Sequence, residues 1–301
     1  MTTTHSSSAL TPGQKFRRAL VENKPLQIVG TINAYAAMMA ERIGHKAIYV
    51  SGGGVANASY GLPDLGITSL NDVAADVDRI TAACRLPLLV DVDTGWGGAF
   101  NIAKTIKTMA RAGAAAIQIE DQVSQKRCGH RPNKAVVSTD EMVNRIKAAV
   151  DAREDDSLFV LARSDAFAME GLDAAIARCQ QYVAAGADGI FAEALTEGSQ
   201  YQAFTTALNV PVLANLTEYG MTPLYNKKEL AQWGVAMILY PLSAFRAMNK
   251  AAETVYEALL NDGDQSNVLD LMQTRQELYD YLNYHAFEQK LDELFANREA
   301  D

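Results

Sequence analysis

The chain has 301 residues, 49% of them hydrophobic and 21% charged, the make-up of an ordinary soluble globular protein with room for a large core. Its 27 Lys+Arg against 36 Asp+Glu leave a net charge of -9, which argues against a nucleic-acid partner, and no apolar run reaches the roughly 18 residues of a membrane span. Three cysteines are too few and too odd for a disulfide framework, and no basic stretch followed by an apolar one occupies Thr2 to Pro12, so a cytoplasmic protein is expected.

The chain opens with Thr11-Pro12, an N-cap followed by Pro at the first helical position, which predicts a short helix over 11–23. Four later segments share one spelling: Gly44 to Ile48, Gly113 to Ile117, Gly186 to Ile190 and Gly234 to Ile238. Each follows a helical period, so the Gly reads as the residue past a helix C-terminus and the Ile as part of a buried strand. Between them lie four more apolar runs, Leu26 to Thr31, Leu88 to Asp93, Leu158 to Ser164 and Val212 to Asn215. Eight short strands, each followed by a helical stretch, predict an α/β fold, a (β/α)8 TIM-type barrel forming a single domain over 1–301. A doubly wound sheet is the weaker alternative, because Ser51-Gly52-Gly53-Gly54 lacks the dinucleotide-binding spacing. After Pro241 a helix is expected from Leu242 to Leu260, ended by Asp262-Gly263-Asp264, and a further amphipathic helical segment from Val268 to Phe295. The barrel does not require this tail, 266–296, so it is expected to close the barrel or pack on another subunit.

Polar residues gather at the strands' C-terminal ends: Thr31, Asn33, Ser51, Asp91, Asp93, Glu120, Arg163, Asp165, Glu193, Asn215 and Thr217. In such a barrel that is the catalytic face. Asp91 and Asp93 alternate along a strand end, so both side chains are expected to point one way, and with Glu120 and Asp121 they suit a hard ion, Mg²⁺ rather than Zn²⁺; the plain alternative is a pair of capping carboxylates. Arg163, Arg246 and Arg275 suit carboxylates, and with the amides of Ser51, Gly52 and Gly53 they describe a pocket for a multiply anionic acid. The segment Gln125 to Lys134 sets Cys128 among Lys126, Arg127, His130, Arg131 and Lys134, a setting that favours the thiolate; otherwise it is a solvated basic loop. A cation, a base and such a thiol are the parts needed to cleave a carbon-carbon bond in an α-hydroxy acid.

These residues resemble the isocitrate lyase / phosphoenolpyruvate mutase superfamily nearly end to end, through Tyr49-Val-Ser-Gly-Gly-Gly54, Gly61-Leu-Pro-Asp-Leu-Gly66, Leu89-Val-Asp-Val-Asp93, Ile119-Glu-Asp-Gln122, Lys126-Arg-Cys-Gly-His130, Pro241 to Asn249 and Met272-Gln-Thr-Arg275. Lys126 to His130 resembles the lyase branch, since mutases lack the Cys. The resemblance implies a Mg²⁺-dependent cleavage of 2-methylisocitrate to pyruvate and succinate, a step of the methylcitrate cycle in propionate catabolism. It implies Asp91 and Asp93 as metal-side carboxylates, with Glu120 acting through the metal's water. Ser51, Gly52, Gly53, Cys128, Gly129, Arg163, Glu193, Asn215, Leu216, Thr217, Arg246 and Arg275 become substrate contacts. Cys128, on a lid over about 122–135, is the implied acid, Arg163 a further catalytic group and Tyr49 the candidate base. Leu216 and Trp96 are apolar departures from the family's usual residues. Phe191, Leu239 and Pro241 are expected to line a niche for the substrate's methyl group, and a homotetramer with exchanged tail helices is implied. Isocitrate or dimethylmalate is the alternative substrate, and a non-catalytic dicarboxylate-binding barrel the alternative class.

Overall fold

The computed structural model describes residues 9–130 and 133–296; the first part of the stretch read for a leader, and Arg131 of the basic loop, lie outside them. The chain divides into two compact units, Met1–Phe245 and Arg246–Asp301, where the sequence reads as one domain with a tail.

The first unit holds β1 (Leu26–Gly30), β2 (Ala47–Val50), β3 (Leu88–Asp91), β4 (Ala116–Glu120), β5 (Phe159–Ser164), β6 (Gly189–Ala192), β7 (Val212–Asn215) and β8 (Met237–Tyr240), closed into a parallel barrel in sequence order. The repeated spelling carries the physical cause. Gly44, Gly113, Gly186 and Gly234 have φ of 104°, 90°, 108° and 79°, left-handed values that end a helix and turn the chain into the next strand. The strands from β2 onward are buried on both faces, as a barrel requires, while β1 is partly open on its outer face. Alternate residues such as Ile28, Leu89, Leu161, Leu213 and Leu239 fill the interior, while Ile48, Val90, Ile117, Val160 and Ile238 pack under the helices.

The predicted first helix spans Pro12–Glu22, and the Thr11 side chain accepts the Gln14 N–H in a capping box. It closes the end of the barrel where the strands begin. Phe16, fully buried, sets its ring 5.2 Å from that of Phe159, and Arg17 pairs with Asp188, just before β6, at 2.8 Å. With that end plugged, the opposite end, where the strands finish, is the mouth.

In the second unit most of the helix Ser243–Asp262 is followed by a 3-10 turn, Ser266–Leu271, and the helices Arg275–Leu282 and Tyr284–Phe295. The continuous segment expected from Val268 to Phe295 is therefore broken. Thr274 caps a new helix with Glu277 in a capping box, and Asn283 turns left-handed at φ 52°. Leu278, Leu282, Phe287, Leu291, Leu294 and Phe295 are exposed, Phe287 by 70%. Among the described residues no helix is long and apolar enough to cross a membrane.

Candidate active site

The acidic cluster forms where β3 and β4 end. Carboxylate oxygens of Asp91, Asp93 and Glu120, all buried, lie within 4.8 Å of one another. The two aspartates converge by a different route from the pleat expected. β3 stops at Asp91, and Asp93 turns back through a left-handed φ of 49°, its N–H donating to Asp91 Oδ1 at 3.1 Å. A non-glycine residue held there is strained, a feature that concentrates at functional sites. Glu120 has both oxygens buried without a hydrogen-bond donor. A buried carboxylate left so is costly, and burial pushes its pKa well above the ordinary range. Asp121, grouped with the cluster from sequence, faces the other way, as the next residue along a strand must. It accepts from Ser164 Oγ at 2.7 Å, the Asp165 N–H at 2.9 Å and the Tyr182 hydroxyl at 3.0 Å.

The glycines after β2 let these carboxylates approach. A Cβ on Gly52 would stand 3.2 Å from Asp91 Oδ2 and Asp93 Oδ1, and one on Gly53 3.0 Å from Asp64 Oδ2. The Gly52 amide donates to Asp91 Oδ2 at 3.1 Å, so of the expected carboxylate cradle this amide is committed to the protein. Ser51 is half-buried at the end of the same strand.

Arg163 stands next in register to Glu120 on one side and Phe191 on the other. Its guanidinium donates to Asp165 at 2.9 and 3.2 Å, lies 3.5 Å from both Glu120 Oε2 and Glu193 Oε2, and stacks 5.0 Å above the Phe191 ring. Burial works against the charge, but Asp165, Glu120 and Glu193 outweigh it and keep the guanidinium protonated. On β7, Asn215 donates to Glu193 at 3.3 Å, and Thr217 is half-buried beyond it. Leu216 does not join them: its side chain packs in the layer under the helices and its N–H is bonded to Leu239 O.

The Cys128 loop rises from a short antiparallel stem, Val123 N–H to Ala135 O and Val137 N–H to Asp121 O, at 3.0 and 2.8 Å. Three of its basic residues are engaged by carboxylates at the strand ends and in the loop before β3. Lys126 pairs with Asp93 and, at 2.9 Å, with Asp64; His130 Nε2 lies 2.7 Å from Glu193; Lys134 reaches Asp165 at 2.7 Å. Long-range pairing with carboxylates at three strand ends thus overrides the local charge pattern. These contacts place the loop over the mouth and Cys128, exposed, on the same end of the barrel as the paired aspartates. Gly129 is packed so closely that a Cβ would collide with Arg163 and Glu193.

Tyr49, fully enclosed, donates its hydroxyl to Gln118 Oε1 at 3.0 Å, and Gln118 donates to Asp91 Oδ1 at 3.1 Å. Burial and then the Asp91 charge push the phenol's pKa well up. Gln118 was missed from sequence although a signal was there: a polar residue inside an apolar run, two places before Glu120 and so on the same strand face. Asp64 and Lys134 carried no such signal, because loop residues declare no facing direction. Phe191 and Leu239 are buried in the barrel interior, and Pro241 is half-buried just past β8. Arg246 and Arg275 fall in the second unit, Arg246 on the helix Ser243–Asp262 and Arg275 opening the next helix after the turn, both exposed.

A closed barrel with an acidic trio and a central arginine at its mouth defines a class of enzyme, and the sequence model described as Phosphoenolpyruvate phosphomutase matches residues 16–260. The fold is shared with a crystal structure of 2,3-dimethylmalate lyase, at TM-score 0.86 and 34% identity over 95% of this chain and 96% of that one. It is also shared with a phosphonopyruvate hydrolase solved with oxalate and Mg²⁺, at TM-score 0.83 and 27% identity over 96% and 99%. The chain is 66% identical to the 2-methylisocitrate lyase of Shewanella oneidensis over 94% of its length and 97% of that protein's, and 60% identical to that of Escherichia coli over 95% and 97%. It belongs to the phosphoenolpyruvate phosphomutase family and, within it, to the 2-methylisocitrate lyases, which are carbon-carbon lyases.

Proposed function

We propose that this chain cleaves 2-methylisocitrate to pyruvate and succinate with Mg²⁺, as a homotetramer in the cytoplasm, in the propionate-consuming methylcitrate cycle. The observation that carries the reading is the lid seated over the mouth, Lys126 on Asp93 and Gly129 against Arg163, so that one loop brings a thiol to an acidic, arginine-bearing site.

The donor set fits a hard divalent ion: three buried carboxylates close together, with neither Glu120 oxygen hydrogen-bonded. Asp91 and Asp93 would hold it, and Glu120 would hold its water. Bound there, the ion would polarise the hydroxy-acid end of the substrate and favour loss of the hydroxyl proton. Arg163, with Glu193 and Asn215 about it, is proposed to grip the substrate's carboxylates, together with Ser51, Gly53, Gly129, Thr217, Arg246 and Arg275. The bond between the hydroxyl-bearing carbon and its neighbour breaks as a base removes the hydroxyl proton. Its electron pair stays on the succinate side and takes a proton from the Cys128 thiol. Tyr49 is the base expected from sequence. Its hydroxyl proton is given to Gln118 and its pKa is raised, which favours instead a phenol that stays protonated and props Gln118 against Asp91.

Phe191, Leu239 and Pro241 are proposed to receive the substrate's methyl. Support for this substrate over dimethylmalate is the 66% identity to a 2-methylisocitrate lyase against 34% to the 2,3-dimethylmalate lyase. The test is an assay with Mg²⁺ of 2-methylisocitrate against isocitrate, following pyruvate and glyoxylate. A methyl niche predicts a preference of about 10- to 200-fold for the methylated acid. Equal or faster glyoxylate release would reject the substrate assignment.

A further inference from the structure

We infer that Lys134 is a positioning residue for the thiol, an inference that rests on the proposed role of Cys128 as proton donor. Lys134 lies beside the stem on which the lid stands, at the far end of the loop from Lys126. Its side chain is only 4% exposed, and its ammonium donates to two acceptors of different kinds: the backbone carbonyl of Gly129 at 2.5 Å and Asp165 Oδ1 at 2.7 Å.

The first bond fixes the Gly129–His130 peptide, one residue past Cys128. The second anchors it to a carboxylate that is itself immobile. Asp165 is fully buried, its N–H donates to Asp121 Oδ1 at 2.9 Å, and its oxygens take both hydrogen bonds of Arg163. One ammonium therefore ties the loop beside the thiol to the group that orients the central guanidinium. Hydrogen bonds from a buried cation are strong and directional, so the link is short and stiff. Gly129 stands against Arg163 and Glu193 with no room for a Cβ, which leaves the neighbouring Cys128 little freedom once Gly129 O is held. Lys126 and His130 also pair with carboxylates, and Lys134 in addition bonds the loop's own backbone beside Cys128. Lys134 acts through Gly129 and Asp165.

The experiment compares the full-length wild-type chain with Lys134→Met by two measurements. In the substrate-free protein, tryptic cleavage after Arg127, which is exposed, is timed by mass spectrometry; loss of a charge-assisted bond predicts cleavage faster by about tenfold. In steady-state assays with Mg²⁺ and 2-methylisocitrate, kcat is expected to fall by about ten- to a hundredfold while KM stays nearly constant, the pattern of a misplaced catalytic group rather than a lost binding contact. Wild-type cleavage kinetics after Arg127, or a rise in KM with kcat preserved, would overturn the inference. Should Lys134→Met fail to fold, Lys134→Gln, which keeps a polar donor but loses the charge and the reach, carries the same two measurements with the same expected directions and the same overturning results. If the wild type itself does not cleave 2-methylisocitrate, the lyase reading fails, while the tryptic measurement still decides whether Lys134 clamps the loop.

Discussion

His130 and Glu193 meet at 2.7 Å through Nε2 and Oε1, while His130 Nδ1 accepts the Met221 N–H at 2.9 Å. The two contacts together assign the proton to Nε2, so a neutral imidazole donates to the carboxylate. Burial alone would raise the Glu193 pKa, but Arg163 and then His130 outweigh it and bring the carboxyl down to about 2. A carboxyl held below its ordinary value of about 4.3 adds stability that is complete above that pH and is lost as pH falls toward the folded value. The wild type is thus expected to lose urea stability between about pH 4 and pH 2, with Glu193→Gln showing a flatter dependence there. Parallel curves for the two proteins would remove Glu193 from the acid response.

Cys128 is the exposed thiol of the three cysteines, Cys84 and Cys179 being buried. Cys128→Ser should keep the substrate's dissociation constant near wild type by calorimetry and lower turnover by at least about a hundredfold, the lower range for a lost general acid. Near-normal turnover would take the thiol out of the mechanism.

Lys126 pairs with Asp93, so it would compete there with the proposed divalent ion. Chelation is expected to abolish activity and added Mg²⁺ to restore it. In direct Mg²⁺ titrations, Asp93→Asn should weaken binding, and Lys126→Met should strengthen it by on the order of tenfold, since one charge is removed from the ion's neighbourhood. Weaker binding in Lys126→Met would show that the lysine supports the site.

Phe16 plugs the barrel against Phe159. Phe16→Ala should cost about 3–5 kcal/mol in denaturant unfolding, the range for emptying a buried aromatic site. A loss below about 1 kcal/mol would mean that the end of the barrel collapses to fill the space.

Phe287 and Leu291 are exposed on the last helix. Contiguous apolar surface of that kind marks an interface, so changing both to Asp should reduce the proposed tetramer to smaller species in light scattering. Unchanged mass would place the subunit contacts elsewhere.

The barrel was legible residue by residue because its causes are local. The Gly at 44, 113, 186 and 234 stops a helix wherever it stands, and the apolar runs after it have nowhere to go but a strand buried on both sides. Period two then put Glu120 at the mouth, and would have put Gln118 there too. The tail was legible as helical but not as broken, since the Thr274–Glu277 box and the left-handed Asn283 are signals that a long apolar period drowns.

What the sequence alone determined is the barrel, the polar residues at its strand ends and the family to which the chain belongs. What only the tertiary structure decided is how the polar side chains pair: Lys126 with Asp93, His130 with Glu193, Lys134 with Asp165, Tyr49 through Gln118 to Asp91. The reason is electrostatic. Inside a closed mouth a charge finds its partner by proximity across the barrel, and sequence separation carries no information about that distance.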